Sequence, residues 1–156
     1  MDNKKFMNQS CPIARGLDVI GDAWSLLILR DASAGLTRFD QFRKSLGIAP
    51  TILTRRLIML MDEGLLEKRR YSERPPRDEY LLTAADRDFL PVLFMIGEWA
   101  RKHRGGGRLL RFLDAETGQE IRGVVVDEVT GAKIGSRPLR SVMPDAEQEA
   151  IPASKT

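Results

Sequence analysis

Between Phe39 and Tyr80 the chain carries two short helical patterns, a glycine-closed turn and a basic hairpin pattern, and this order leaves few folds open. Phe39, Phe42 and Leu46 recur at three- and four-residue steps, the spacing of one helical face, with Thr37 as the expected N-cap and Gly47 as the stop. The next helix must begin within the turn Gly47-Ile48-Ala49, and Pro50 suits its first turn because the N–H there has no helical partner. From Pro50 to Glu63 the residues Leu53, Leu57, Leu60 and Met61 form one apolar stripe, and Gly64 stands where a C-terminal cap belongs. The opposite face holds Thr51, Thr54, Arg55 and Ile58.

Two helices joined this tightly predict a helix-turn-helix, in which the first turns of the second helix meet base edges in the major groove. Thr51, Thr54 and Arg55 are placed there. By itself such a face is also what any solvated helix presents; the residues C-terminal to it separate the two readings. Leu65 to Arg70 and Glu79 to Leu82 read as strands, and the loop Tyr71 to Asp78 between them holds prolines that keep it extended. A strand-loop-strand leaving a recognition helix is a wing. From Arg38 to Arg77 ten basic residues face five acidic ones, a net +5 against +3 for the whole chain, so cationic charge is concentrated in this stretch. Arg74 and Arg77 at the wing tip suit a narrow minor groove, and Arg38, just before the first helix, suits a backbone contact. The expected fold is mainly α with a β wing, a winged helix-turn-helix.

Upstream, Pro12 to Gly21 and Trp24 to Arg30 read as two helices, the second apolar enough to be mostly buried, with Trp24 as a core residue. Downstream, Ala84 to His103 reads as a long helix with Phe89, Leu93, Ile96 and Ala100 on one side, and Met95 and Trp99 displaced from that stripe. Thr83 and Asp86 together are expected to cap it, and Pro91 predicts a kink or two abutting helices. Apolar residues around so much of this helix exceed what one small core covers. They imply a homodimer built with the N-terminal helix, whose two-fold axis sets two recognition helices one DNA turn apart on a pseudo-palindromic operator.

Gly105-Gly106-Gly107 ends this unit, residues 1–104, and opens a smaller one, residues 105–144. It contains a repeat, Asp114-Ala115-Glu116-Thr117-Gly118 and Asp127-Glu128-Val129-Thr130-Gly131, set between β-rich runs at Leu109 to Leu113, Glu120 to Val126 and Lys133 to Ser136. Turns spaced this way predict a small C-terminal antiparallel β meander, with Asp114, Glu116, Asp127 and Glu128 as turn chemistry rather than metal ligands. Residues 145–156 read as a disordered tail.

One cysteine excludes an internal disulfide, and a single histidine, His103, leaves no zinc set and no histidine-based catalytic group. With no nucleophile-base pair and no glycine-rich phosphate loop, neither an enzyme nor a bound cofactor is expected. No stretch is long and apolar enough to span a membrane, and Met1-Asp2-Asn3-Lys4-Lys5 is not followed by a signal-peptide core, so a cytoplasmic protein is expected.

The residues Cys11-Pro12-Ile13, Leu17 to Ser25 with its Ile20-Gly21-Asp22-Ala23-Trp24 block, Arg38-Phe39, Leu53 to Leu57 and Pro76-Arg77-Asp78-Glu79-Tyr80-Leu81-Leu82-Thr83 resemble the HxlR branch of the MarR-like winged-helix transcriptional regulators over about residues 10 to 103. The resemblance implies a homodimeric regulator of double-stranded DNA, usually a repressor, with contacts on the recognition helix and wing. Two positions depart from the family pattern: Ala49 stands where a Ser or Thr cap is common, and Asp86 where a Gly is common. Cys11 matches the N-terminal cysteine that serves some members as a sensor of oxidants or electrophiles, so an oxidant or small-molecule inducer is expected as a partner. The local pattern leaves two readings open: a thiol that merely packs where the first helix begins, or, since Pro12 at a first helical position makes Cys11 the N-cap and aims the helix's positive end at its sulfur, a reactive thiol. The alternative is a winged-helix protein-interaction module whose basic face binds an acidic partner.

Overall fold

Residues 10–143 are described in the structure, a computed structural model. The segment Met1 to Lys5 and the expected tail from Asp145 lie outside the described residues. In chain order the elements are α1 (Pro12–Ile20), α2 (Ala23–Ser33), α3 (Phe39–Leu46), α4 (Pro50–Asp62), β1 (Leu66–Glu73), β2 (Pro76–Leu82) and α5 (Ala84–His103). A winged helix-turn-helix results, five helices with one antiparallel two-stranded sheet.

The core forms where the apolar faces of α2, α3 and α4 meet. Ile28, Leu29, Phe42, Leu53 and Leu60 are fully buried and Leu57 is 1% exposed. Trp24 packs against this cluster from the side, as do Phe89 and Leu93 of α5. Gly47 and Gly64 close α3 and α4 with φ of 60° and 72°, a left-handed conformation that a side chain would strain. Asp22 caps α2 by accepting the Ser25 N–H at 3.0 Å, and its carboxylate also lies 3.2 Å from Arg56 Nε of α4. The recognition helix is therefore tied to α2 by charge as well as by leucines.

Several expectations are corrected. Thr37 is not the cap of α3: the helix starts one residue later on Arg38, and the Gln41 side chain accepts the backbone N–H of both Thr37 (3.0 Å) and Arg38 (2.9 Å). The wing loop is not the eight residues from Tyr71 to Asp78. The strands run on to Glu73 and from Pro76, leaving a two-residue turn at Arg74-Pro75, joined by a cis peptide bond. Proline is tolerated as the first residue of a strand, and the cross-strand pairs Arg69–Glu79 (2.7 Å) and Arg70–Asp78 (3.2 Å) hold the ribbon together that far out.

Pro91 does not divide α5, which runs unbroken for 20 residues. The backbone bond it removes would have ended on Arg87, and both residues are exposed, so water can satisfy that carbonyl. The expected side of Phe89, Leu93, Ile96 and Ala100 splits as well: Phe89 and Leu93 reach the core, whereas Ile96 is 46% exposed. The C-terminal meander is present only as two antiparallel turns, each closed by a single bridge, Leu113 to Glu120 and Val126 to Lys133. The middle run pairs by its first residues with one neighbour and by its last with the other, so no continuous strand develops. In each turn the Asp114 or Asp127 carboxylate accepts the N–H and the hydroxyl of the Thr three residues on. These bonds hold both carboxyls below the usual carboxylate range. The extension lies along α5, with Phe112 and Phe94 rings 5.2 Å apart and Gly123 so close to Phe94 that a Cβ there has no room.

Asp86 does not share in capping α5. Thr83 accepts the Asp86 N–H at 3.4 Å, while its hydroxyl donates to the Gly64 carbonyl at 2.6 Å and stitches α5 to the end of α4. The Thr83 N–H, which a capping carboxylate would take, already donates to Leu65 O at 3.1 Å. The Asp86 carboxylate is therefore 1% exposed with both oxygens unpartnered, and burial raises its pKa from 3.8 to about 6. A raised carboxyl pKa favours the folded state only while protonated, so stability falls as pH rises from about 4 through 6, by about 3 kcal/mol in all. Asp86→Ala is accordingly expected to melt several degrees above wild type at about pH 7.5, with the gap closing toward pH 4. Thermal melts of the two proteins across that range provide the check, and a gap independent of pH would contradict the assignment.

Candidate nucleic-acid interface

The burial of Leu53, Leu57 and Leu60 sets the rotation of α4, and Thr51, Thr54, Arg55 and Ile58 are left in solvent together. Thr51 and Arg55 carry no side-chain hydrogen bond or ion pair among the described residues. The Thr54 hydroxyl donates to Pro50 O at 2.9 Å, so its proton is used inside the helix and its oxygen and methyl face outward. Ala49 caps α4 without a side-chain bond; Pro50 has no N–H and the Ile52 N–H donates to Ala49 O at 3.0 Å, so among the described residues the Thr51 N–H is the one first-turn donor left open.

In the wing, Arg74 sits in the turn and Arg77 in β2 opposite Ser72, both exposed. Its base is fastened to the front of α3, because the Tyr80 N–H donates to Thr37 O at 2.7 Å. Arg38 stands at that junction, exposed, with its guanidinium carbon 4.6 Å from the centroid of the Tyr71 ring. The structure thus brings Arg38 and Arg77 to one open cleft between α3 and the wing, with Asp40 and Asp78 also on its walls.

Charge counting along the sequence treats all ten cations alike, and the structure separates them. Arg56 faces Asp22, Arg69 faces Glu79, and Lys68 (3.0 Å) and Arg70 (3.2 Å) share Asp78. The hydrogen bond from Lys68 holds the Asp78 carboxyl below its ordinary value, and the same bond raises the Lys68 amine. The other six, Arg38, Arg43, Lys44, Arg55, Arg74 and Arg77, have no carboxylate partner among the described residues. Arg43 and Lys44 do not stand out in the sequence, because basic residues in a last helical turn are equally explained by the helix dipole. Tyr71 escapes sequence reasoning because it reads as a loop residue unless the strands are known to extend past it.

Cys11 is exposed and is the N-cap of α1, with Pro12 in the first turn and no side-chain cap bond. The helix it opens buries no residue, and Ile13 and Leu17 on it are 73% and 52% exposed. On α5, Val92, Ile96 and Trp99 follow each other at helical steps and are 45–55% exposed.

The HxlR-like helix-turn-helix pattern matches residues 19–106, more than half of the chain. An HTH-type transcriptional regulator of Mycobacterium tuberculosis is 40% identical over 91 residues, which are 58% of this chain and 58% of that protein. The match therefore spans somewhat over half the length of that relative. Among solved structures, the transcription factor PA1607 superposes with a TM-score of 0.81 at 36% identity, over 88% of this chain and 98% of its own. The redox regulator HypR in its reduced form superposes with a TM-score of 0.57 at 32% identity, over 60% of this chain and 94% of its own. The mycobacterial relative and PA1607 are both named for the control of transcription. Pattern, fold and relatives agree: the chain belongs to the HxlR-like helix-turn-helix family.

Proposed function

We propose that the protein is a sequence-specific, dimeric repressor of transcription acting in the cytoplasm, with Thr51, Thr54 and Arg55 toward base edges and Arg38, Arg74 and Arg77 toward the backbone and minor groove. The observation that carries this reading is the partition of charge. Lys68, Arg69 and Arg70 of the hairpin and Arg56 on the inner side of α4 are paired with carboxylates, while Arg55 on the recognition face, Arg38 and Arg77 at the cleft and Arg74 at the wing tip have no carboxylate partner among the described residues. Unpaired cations flanking a helix whose polar face is exposed are what a duplex requires, phosphate contacts to position and side chains to read. Arg55→Ala is expected to weaken binding to the preferred site by about 1–3 kcal/mol while leaving random duplex unaffected, whereas Arg74→Ala weakens both. Titrations of a selected site and a random duplex decide this; equal losses on both for Arg55→Ala would remove it from base reading.

The exposed faces of α1 and α5 support the dimer. Exposed apolar side chains at helical spacing on both helices are what an interface uses, and two-fold pairing supplies the second recognition helix about 34 Å away, one DNA turn. Sedimentation equilibrium at micromolar concentration is expected to give the dimer mass for wild type and a lower mass for Trp99→Glu. A monomeric wild type would overturn this part of the reading.

Cys11 supports regulation by oxidants, on its exposure at a helix start and on the likeness to HypR, a redox regulator solved in reduced and oxidised forms. Oxidation would join the Cys11 thiol to a second thiol, the partner subunit's or a small one, with two protons and two electrons passing to the oxidant. Diamide is expected to change the DNA affinity of wild type and not of Cys11→Ser. Identical responses from the two proteins would leave the cysteine without a sensing role.

A further inference from the structure

The β1–β2 ribbon has one irregularity, and it falls at Tyr71. Arg70 pairs with Asp78 and Ser72 with Arg77, so Tyr71 has no residue opposite it. A bulge of this kind bends its strand and re-aims the extra side chain. Here the ring comes to lie against Arg38, with 4.6 Å between the guanidinium carbon and the ring centroid.

Among the described residues, Arg38 has no other side-chain hydrogen-bond or ion-pair partner. Its side chain makes no cap bond to α3, and its backbone N–H and that of Thr37 are taken by Gln41. Asp40 and Asp78 line the same cleft, yet neither pairs with it; Asp78 is held by Lys68 and Arg70. We propose that Tyr71 is a positioning residue for DNA binding: its ring holds the Arg38 guanidinium in the mouth of the cleft between α3 and the wing, where it meets a backbone phosphate together with Arg77. This rests on the reading of Arg38 as a backbone contact given above.

Three features favour it. An aromatic face engages the plane of a guanidinium and leaves its N–H groups at the rim free for phosphate oxygens. The stack also keeps a long, mobile side chain from turning onto the free carboxylate of Asp40, which would cancel its charge. And the two partners are carried on segments already fastened to each other, since the Tyr80 N–H is bonded to the carbonyl of Thr37, the residue before Arg38.

The test compares duplex affinity of the full chain as wild type, Tyr71→Phe, Tyr71→Leu, Arg38→Ala and the double variant Arg38→Ala/Tyr71→Leu. Tyr71→Phe keeps the ring and is expected to bind within about twofold of wild type. Tyr71→Leu is expected to weaken both preferred and random duplex about five- to thirtyfold, the scale of one cation–π contact at each of two half-sites. Arg38→Ala is expected to weaken binding at least as much and to lower the salt dependence by about one phosphate contact per half-site. In the Arg38→Ala background Tyr71→Leu should then change nothing further. Tyr71→Gln, polar and ringless, must show the same loss as Tyr71→Leu, which keeps the comparison open if the leucine variant folds poorly. Wild-type affinity for both ringless variants, or an undiminished loss in the Arg38→Ala background, would overturn the proposal. Wild-type affinity for Arg38→Ala would overturn it together with the backbone assignment of Arg38, and the separate Arg55 and Arg74 titrations report whether DNA binding itself stands.

Discussion

Leu53, Leu57 and Leu60 lie on one side of α4 and are packed out of solvent against Ile28, Leu29 and Phe42. A helix has only one rotation that buries such a stripe, and burying each leucine contributes about 1.5–3 kcal/mol, so the orientation of α4 is not free to drift. Everything at the candidate interface inherits that rotation. Thr51, Thr54 and Arg55 are outside because the leucines are inside, and Arg56, one residue further round, is turned toward Asp22 at the cap of α2. One charge of an adjacent pair is thus structural and the other available, a distinction made by a single helical step.

The wing is positioned by different means. Two strands cannot build a core of their own, and most of β1 is exposed. The ribbon is fixed at its base, where Leu66 is buried in the core with Tyr80 and Leu82 packed against it, and by backbone and hydroxyl hydrogen bonds from Tyr80 to Thr37 on one side and from Thr83 to Gly64 on the other. Cross-strand ion pairs stiffen it further out. Because they use Lys68, Arg69 and Arg70, the same pairs remove those cations from the charge that reaches the tip. Asp86 sits next to this junction as an unpartnered buried carboxylate, its natural donor already bonded to Leu65. The stitch between α4 and α5 has been kept at the expense of that side chain.

Helix α5 meets three environments around its circumference: the core through Phe89 and Leu93, the C-terminal extension through Phe94, and solvent through Val92, Ile96 and Trp99. The apolar residues that overfill a one-sided helical pattern in the sequence belong to three surfaces, which is why a single stripe describes them poorly. The extension carries its own exposed apolar residues, Leu110 and Val129 among them at 73% and 92%. Its two Asp-x-x-Thr-Gly turns are well formed, but each is closed by a single bridge. Local turn chemistry survives there without a sheet to sustain it.

The sequence by itself determined what depends on neighbours a few residues apart. Helical stripes at three- and four-residue steps, the glycine stops at 47 and 64, Pro50 in a first turn, Cys11 before Pro12 and the repeated Asp–Thr turns were legible because each is decided within one or two turns of chain. The order helix, turn, helix, hairpin then left few ways to pack. Tertiary structure decided what depends on residues far apart in the chain: that the strands run through Tyr71 and Pro76, that Pro91 can sit in an unbroken helix because its lost bond faces water, and that Ile96 misses the core. It also decided which cations are free. Asp22 and Arg56, or Arg69 and Glu79, meet only after the fold has closed, and no count of charge along the chain distinguishes a paired arginine from an unpaired one.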